Sequence, residues 1–166
     1  MNLTTHLVSS RVASPVGDLT LVASDVGLRA VLWPIEREGR VRLVDVEPGD
    51  HPVLTETAAQ LEAYFDGSRT EFDLPLDLVG TDFQVEVWRL LTTIAFGHTS
   101  TYGAHAGRLG RPTASQAVGG AIGRNPISIV VPCHRVVGAS GALTGFAGGV
   151  EAKRWLLDHE RGSLFS

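Results

Sequence analysis

The hydrophobic period of this chain changes near residue 50, and that change restricts it to folds with a strand-rich part followed by a helix-rich part. Before it, residues 19–24 and 28–33 are β-rich runs separated by Asp25-Val26-Gly27, a hairpin signal. An earlier run over residues 7–13 ends at Ser14-Pro15-Val16-Gly17, another turn. These runs predict a small antiparallel sheet, with residues 40–46 either a fourth strand or a loop. After the change, Leu54, Ala58, Leu61 and Phe65 recur at helical spacing, and Gly67 is placed to end that helix. Residues 71–80 are apolar but broken by Pro75, and read as a linker. The expected fold is therefore α/β of the α+β kind. Residues 1–80 form a β-sheet and helix domain with its linker, and residues 81–166 form a mainly helical domain.

The second part carries its own local signals. Thr81 with Gln84 three residues on fits a capping box. Behind it Phe83, Val87, Leu90, Leu91 and Ile94 make one apolar helical face, with Trp88 beside it as core and Gly97 as the expected stop. Residues 102–109 and 113–122 predict two short helices separated by Gly110-Arg111-Pro112, the pattern of a helix-turn-helix. The second is rich in small residues, including the adjacent Gly119 and Gly120. Glycine costs a helix roughly 1 kcal/mol relative to alanine, so the pair implies close approach of another surface, either a packed helix or a DNA groove. Asn125-Pro126 breaks the chain, and residues 127–131 read as a short buried extended run. Residues 150–160 predict a last helix.

Charge divides the same way. The formal net charge is −4, which by itself argues against a polyanionic partner. Its distribution argues for one: residues 1–96 hold 7 arginines against 15 acids, whereas residues 97–166 hold 7 basic residues against 3 acids. Residues 97–150 contain Arg108, Arg111, Arg124 and Arg135 and no carboxylate. That stretch is either a polyanion-facing surface or a Gly-rich segment with few charges of any sign. No apolar run reaches the length of a membrane span, and residues 1–6 do not resemble a signal peptide, so the expected compartment is the cytoplasm.

Cys133 is the only cysteine. A lone thiol cannot form an internal disulfide or a multi-cysteine metal site, and the six histidines show no ligand spacing, so no metal and no cofactor is expected. The thiol is either a small packing residue or a nucleophile. Its neighbours in Pro132-Cys133-His134-Arg135 favour the second, since nearby positive charge raises a thiol's thiolate fraction. Val131 before proline is biased to an extended conformation, and in a straight strand Cys133 and His134 would face opposite sides. A working pair needs a turn there, or a bridging water. A cysteine hydrolase would also need a distant orienting residue, for which the sequence offers no specific candidate.

The run Asn125-Pro126-Ile127-Ser128-Ile129-Val130-Val131-Pro132-Cys133-His134-Arg135-Val136-Val137-Gly138 closely resembles the active-site segment of the O6-alkylguanine-DNA alkyltransferases. Thr81-Asp82-Phe83, Thr101-Tyr102-Gly103, residues 141–149, Lys153-Arg154-Trp155-Leu156-Leu157 and Ser14-Pro15-Val16-Gly17-Asp18-Leu19 extend the resemblance over most of the chain; it is weakest at residues 36–52. The resemblance implies a protein that flips an alkylated guanine out of double-stranded DNA and transfers the alkyl group irreversibly to Cys133, once per molecule. O4-alkylthymine is implied as a second substrate, and a monomer as the free form.

The resemblance also assigns roles. Cys133 is the nucleophile, His134 a base acting through water, Glu160 its orienting partner, Tyr102 a proton donor to the leaving guanine, and Asn125 the residue that holds the turn. Backbone groups of Cys133 and Val136 meet the base edge, and Ile122, Phe146 and Ala147 surround the substrate. Thr101, Thr113, Ala114, Ser115, Gln116, Gly119, Arg124 and Arg135 face the DNA. Two positions depart from the family pattern. Gln116 stands where the recognition helix usually has an arginine that fills the flipped base's place, and Ala147 stands where some relatives carry serine. A DNA-binding protein of the same fold with an idle or sensing cysteine is the competing expectation.

Overall fold

The protein is described here from a computed structural model covering residues 6–143 and 145–165. Three strands, β1 (Leu7–Val12), β2 (Leu19–Ala23) and β3 (Leu28–Leu32), form an antiparallel meander. A fourth, β4 (Val46–Pro48), adds to the outer edge of β1 and runs parallel to it, giving the order β3-β2-β1-β4. This corrects the expectation of a purely antiparallel sheet with a possible strand at 40–46. Residues 40–45 are irregular, because Arg40 turns inward instead of joining a ladder. Helix α1 (Pro52–Phe65) packs on the sheet through Leu54, Leu61 and Tyr64. His51 caps it, its Nδ1 accepting from the amide of Val53 at 3.1 Å.

Helix α2 (Asp82–Leu91) begins at the predicted capping box. Thr81 Oγ1 accepts from the Gln84 amide, and the Gln84 side chain accepts from the Thr81 amide. It ends at Leu91, earlier than Gly97, as the hydroxyls of Thr92 and Thr93 donate to the carbonyls of Arg89 and Leu90. Gly97, at φ +80°, belongs to a later turn. Trp88 is buried, and its Nε1 donates to the carbonyl of Ala121 at 2.8 Å, tying α2 to the helix that carries Ala121. Strand β5 (Ser100–Thr101) leads into α3 (Tyr102–Arg108). Helix α4 (Ser115–Gly123) packs against both α2 and α3. It starts two residues later than the sequence pattern suggests, leaving Thr113 and Ala114 in the turn, with Ala114 as a cap that offers no side-chain hydrogen bond. Strand β6 (Val136–Val137) pairs parallel to β5, and α5 (Val150–Phe165) closes the fold. No helix among the described residues is long and apolar enough to cross a membrane.

The two parts are joined along the free edge of β3. The amide of Leu28 donates to the carbonyl of Pro75, and the amide of Val31 donates to the carbonyl of Pro126 at 2.9 Å. A strand edge that would otherwise stand open thus anchors the start of the Cys133 segment. One continuous apolar cluster, from Leu19 and Val31 through Tyr64 and Trp88 to Val131 and Leu156, runs through both parts.

Candidate active site

The segment carrying Cys133 is buried but not extended. Ile129 sits at φ +72°, a left-handed conformation costly for a β-branched residue, and Val131 returns to donate to the carbonyl of Ile127 at 2.9 Å. Asn125 holds this reversal with both ends of its amide: Nδ2 donates to the carbonyl of Val131 at 2.9 Å and Oδ1 accepts from the amide of Ile127 at 3.0 Å. Residues Cys133–Arg135 then form one 3₁₀ turn. The straight strand implied by the apolar run is replaced by two successive turns, which remove the opposite-face problem for Cys133 and His134.

Behind the thiol lies a closed set of buried charges. His134 Nε2 meets Glu160 Oε2 at 2.7 Å. Arg135 grips the same carboxylate through Nε to Oε1 at 2.8 Å and Nη2 to Oε2 at 3.0 Å, while its Nη1 donates to the carbonyl of Ile94 at 2.6 Å. Tyr64, from α1, donates its hydroxyl to Glu160 Oε2 at 2.7 Å. Burial pushes the Glu160 carboxyl up, but the hydrogen bonds and charges of His134 and Arg135 outweigh it and hold it well below the usual carboxylate range. Burial pushes His134 down, against the pull of Glu160. The consistent assignment is an ionised Glu160 balanced by Arg135 and a neutral His134. An ionised carboxylate only accepts, so Nε2 carries the imidazole proton and Nδ1 presents a lone pair. Nδ1 is buried and has no hydrogen-bond partner among the described residues.

Cys133 is 6% exposed. Burial pushes its thiol up, opposed by the Asn125 side chain and by the charges of Arg40 and Lys153. It borders a cavity of about 30 Å³ whose other walls include Tyr102, Ile122, Phe146, Ala147 and Lys153. Tyr102 lies over Gly119, where an added Cβ would sit 3.5 Å from the ring. Gly120, next to it, faces solvent with nothing close. Phe146 is held edge-on against Trp33, ring centroids 5.3 Å apart, and Trp33 Nε1 donates to Ser128 Oγ at 3.1 Å. A Cβ at Gly148 would collide with the Trp33 ring. One indole at the end of β3 therefore supports both the Cys133 segment and the 145–148 wall.

The structure brings Cys133, Tyr102, Ile122, Gly119, Phe146 and Ala147 around one cavity, with Asn125, His134 and Glu160 behind it. Thr101 caps α3 through its hydroxyl. Gln116, Thr113 and Arg124 are exposed, with Ala114 and Ser115 half-buried beside them. Arg135 is corrected: 6% exposed, its guanidinium is committed to Glu160 and the Ile94 carbonyl and lies over Phe96, so it has no face for a phosphate. Val136 does not line the cavity; its amide bonds the Cys133 carbonyl, and the Cys133 amide bonds that of Val131, so neither amide is available to a ligand in this arrangement. Three residues went unassigned in the sequence. Lys153, the chain's one lysine, is buried beside Tyr102 and Phe146. Arg40 is buried, donating Nη1 to the carbonyl of Asn125 at 2.7 Å and bonding Glu36 through Nε and Nη2. Tyr64 reaches the site from a helix 96 residues before Glu160. Uniqueness and a place in the resembling run 153–157 were the signals for Lys153; nothing in the local pattern marks the other two. Among the described residues no group of three His, Cys, Asp or Glu is placed to hold a metal.

Fold and site together define a mixed α/β protein with one buried thiol, backed by a neutral histidine on an ionised glutamate. The profile described as "6-O-methylguanine DNA methyltransferase, DNA binding domain" matches residues 82–162, and "6-O-methylguanine DNA methyltransferase, ribonuclease-like domain" matches residues 7–78. The chain belongs to the 6-O-methylguanine DNA methyltransferase family. It is 48% identical over 148 residues to a methylated-DNA–protein-cysteine methyltransferase of Mycobacterium tuberculosis, covering 89% of this chain and 88% of the relative. The Shigella flexneri protein of the same name is 45% identical over 164 residues, covering 93% and 96%. The crystal structure of Mycobacterium tuberculosis OGT in complex with DNA superposes with a TM-score of 0.84 at 44% identity, covering 97% of this chain and 99% of that one.

Proposed function

We propose that this protein is a methylated-DNA–protein-cysteine methyltransferase that repairs DNA by direct reversal, moving the alkyl group of O6-alkylguanine onto Cys133. The observation that carries the reading is the thiol at the wall of a cavity, next in the chain to a buried imidazole that a buried carboxylate fixes in one tautomer and whose Nδ1 has no partner among the described residues.

The resting thiol is protonated, because burial raises its pKa. Its proton passes through a water to His134 Nδ1, and the resulting imidazolium is stabilised by Glu160. Arg40 and Lys153 favour the thiolate formed. The sulfur attacks the alkyl carbon in line, the S–C bond forms as the C–O6 bond breaks, and the electron pair leaves with guanine. Tyr102 donates a proton to the base, and the proton on His134 restores the Tyr102 hydroxyl through solvent, so guanine departs neutral. The thioether has no leaving route, so each chain acts once, as a monomer and without a cofactor. O4-alkylthymine offers the same alkyl–oxygen bond and is a second substrate.

Base flipping follows from the need to reach an atom inside the stack. A cavity of about 30 Å³ has room for little more than water, so the wall formed by Gly145, Phe146 and Ala147 must yield for a purine to enter. A transferable thiol must also stay reduced, which fits the cytoplasm. The α3–α4 pair serves as a helix-turn-helix, with Thr101, Thr113, Ala114, Ser115, Gln116 and Gly119 toward the duplex and Arg124 at its end.

Intact-protein mass spectrometry after incubation with a duplex containing O6-methylguanine tests this. Gain of one methyl group on Cys133, saturating at one per chain, is the expected result. An unchanged mass with the duplex bound would leave a lesion-binding protein and defeat the transfer reading.

A further inference from the structure

A second pocket, about 280 Å³, lies between the 39–43 loop, the start of α2 and the C-terminal end of α4. Its lining includes Arg29, Arg40, Arg42 and Arg124 and no Asp or Glu. Two of these charges are balanced nearby. Arg29 pairs with Asp77 at 3.2 Å and Arg40 with Glu36 at 2.6 Å. Arg42 and Arg124 are exposed and have no carboxylate within ion-pair distance among the described residues. Arg124 leans toward the loop, its Nη1 3.4 Å from the carbonyl of Gly39. Two uncompensated guanidinium groups lining one concavity, with two more behind them, repel each other unless an anion sits between.

Its position says which anion. Arg40 lines both this pocket and the Cys133 cavity, so a phosphate held here lies one guanidinium away from a base held at the thiol. The exposed face of α4, made by Gln116, Ala117 and Gly120, carries no positive charge. The charge that a recognition helix needs to hold a polyanion is thus supplied at its end, by Arg124, and by a loop of the N-terminal part.

We propose that Arg42 and Arg124 form a phosphate site that takes a backbone phosphate of the duplex next to the flipped nucleotide. The site rests on the DNA-repair reading and adds the N-terminal part to the DNA-binding surface.

The test is the salt dependence of binding to a fluorescent duplex containing O6-methylguanine, in a Cys133→Ser background that cannot react. Arg42→Gln and Arg124→Gln should each weaken binding several-fold and make the slope of log K against log salt shallower by about 0.9. The loss should be the same for damaged and undamaged duplexes, as for any phosphate contact. Arg42→Lys should keep the slope, since a point charge suffices. Arg11→Gln, on the exposed face of β1, removes the same charge elsewhere and should leave the slope unchanged. An Arg42→Gln slope equal to the parent's overturns the site, provided the unmodified protein takes a methyl group from the same duplex; if it takes none, the repair reading itself has failed. Inorganic phosphate at matched ionic strength separates the sources. If it saturates the pocket, read as a melting shift lost in Arg42→Gln, while the duplex slope stays parental, the ligand is free phosphate and the duplex assignment is overturned.

Discussion

Two sets of charges flank residues 125–135, and they are built differently. Behind Cys133, the set of His134, Arg135, Glu160 and Tyr64 is buried and closed: both oxygens of Glu160 accept hydrogen bonds from the other members. In front, Arg42 and Arg124 are exposed and open. A buried charge that lacks its partner costs several kcal/mol, whereas an exposed one costs little and is screened by salt. The inner set is therefore a positioning device that loses stability when a member is removed, and the outer set is free to meet something from outside. Arg135 and Arg124 look alike in the sequence; burial alone separates their tasks.

The contrast can be broken from the largest expected effect to the smallest. Cys133→Ser should abolish methyl transfer while leaving duplex binding within a factor of a few; residual transfer by mass spectrometry would refute the assigned nucleophile. Glu160→Gln leaves Arg135 buried against a neutral amide and should cost about 3–5 kcal/mol in chemical denaturation. Acid should act through the same groups. The unfolded chain takes up a proton at a histidine below about pH 6.5 and at a glutamate below about pH 4.3, whereas the folded protein holds His134 neutral and Glu160 ionised to lower pH. The unfolded state then binds more protons, so stability falls as pH falls through that window; melting temperatures flat from pH 7 to 4 would contradict the inner set. Tyr64→Phe removes one donor to a charged acceptor and should cost about 1.5–3 kcal/mol in chemical denaturation. Arg42→Gln, in the outer set, should change stability by no more than about 0.5 kcal/mol while weakening duplex binding. A large loss of stability there would place it with the inner set.

Much of the molecule was readable from local chemistry. Helix α1 occupies the predicted residues, and the Thr81–Gln84 capping box forms as its spacing requires. Hairpin turns, caps and the 3.6-residue period depend on neighbours a few positions apart, so they survive without tertiary information. The errors share one cause. The apolar run 127–131 has no periodicity to distinguish a strand from a buried loop, and Asn125 decides it by bonding both sides of the reversal. Strand β4 is three residues long and has no pattern of its own; it exists because the edge of β1 accepts it.

By itself the sequence determined that Cys133 is the one available thiol, that histidine and arginine stand beside it, and that a carboxylate-free stretch carries four arginines. Tertiary structure alone decided which of those arginines is buried and which is free, and brought Tyr64, Arg40 and Trp33 to a site far along the chain from them. The physical reason is that desolvation and long-range hydrogen bonding set the task of a charged side chain, and neither is defined until the apolar cluster running through both parts has closed.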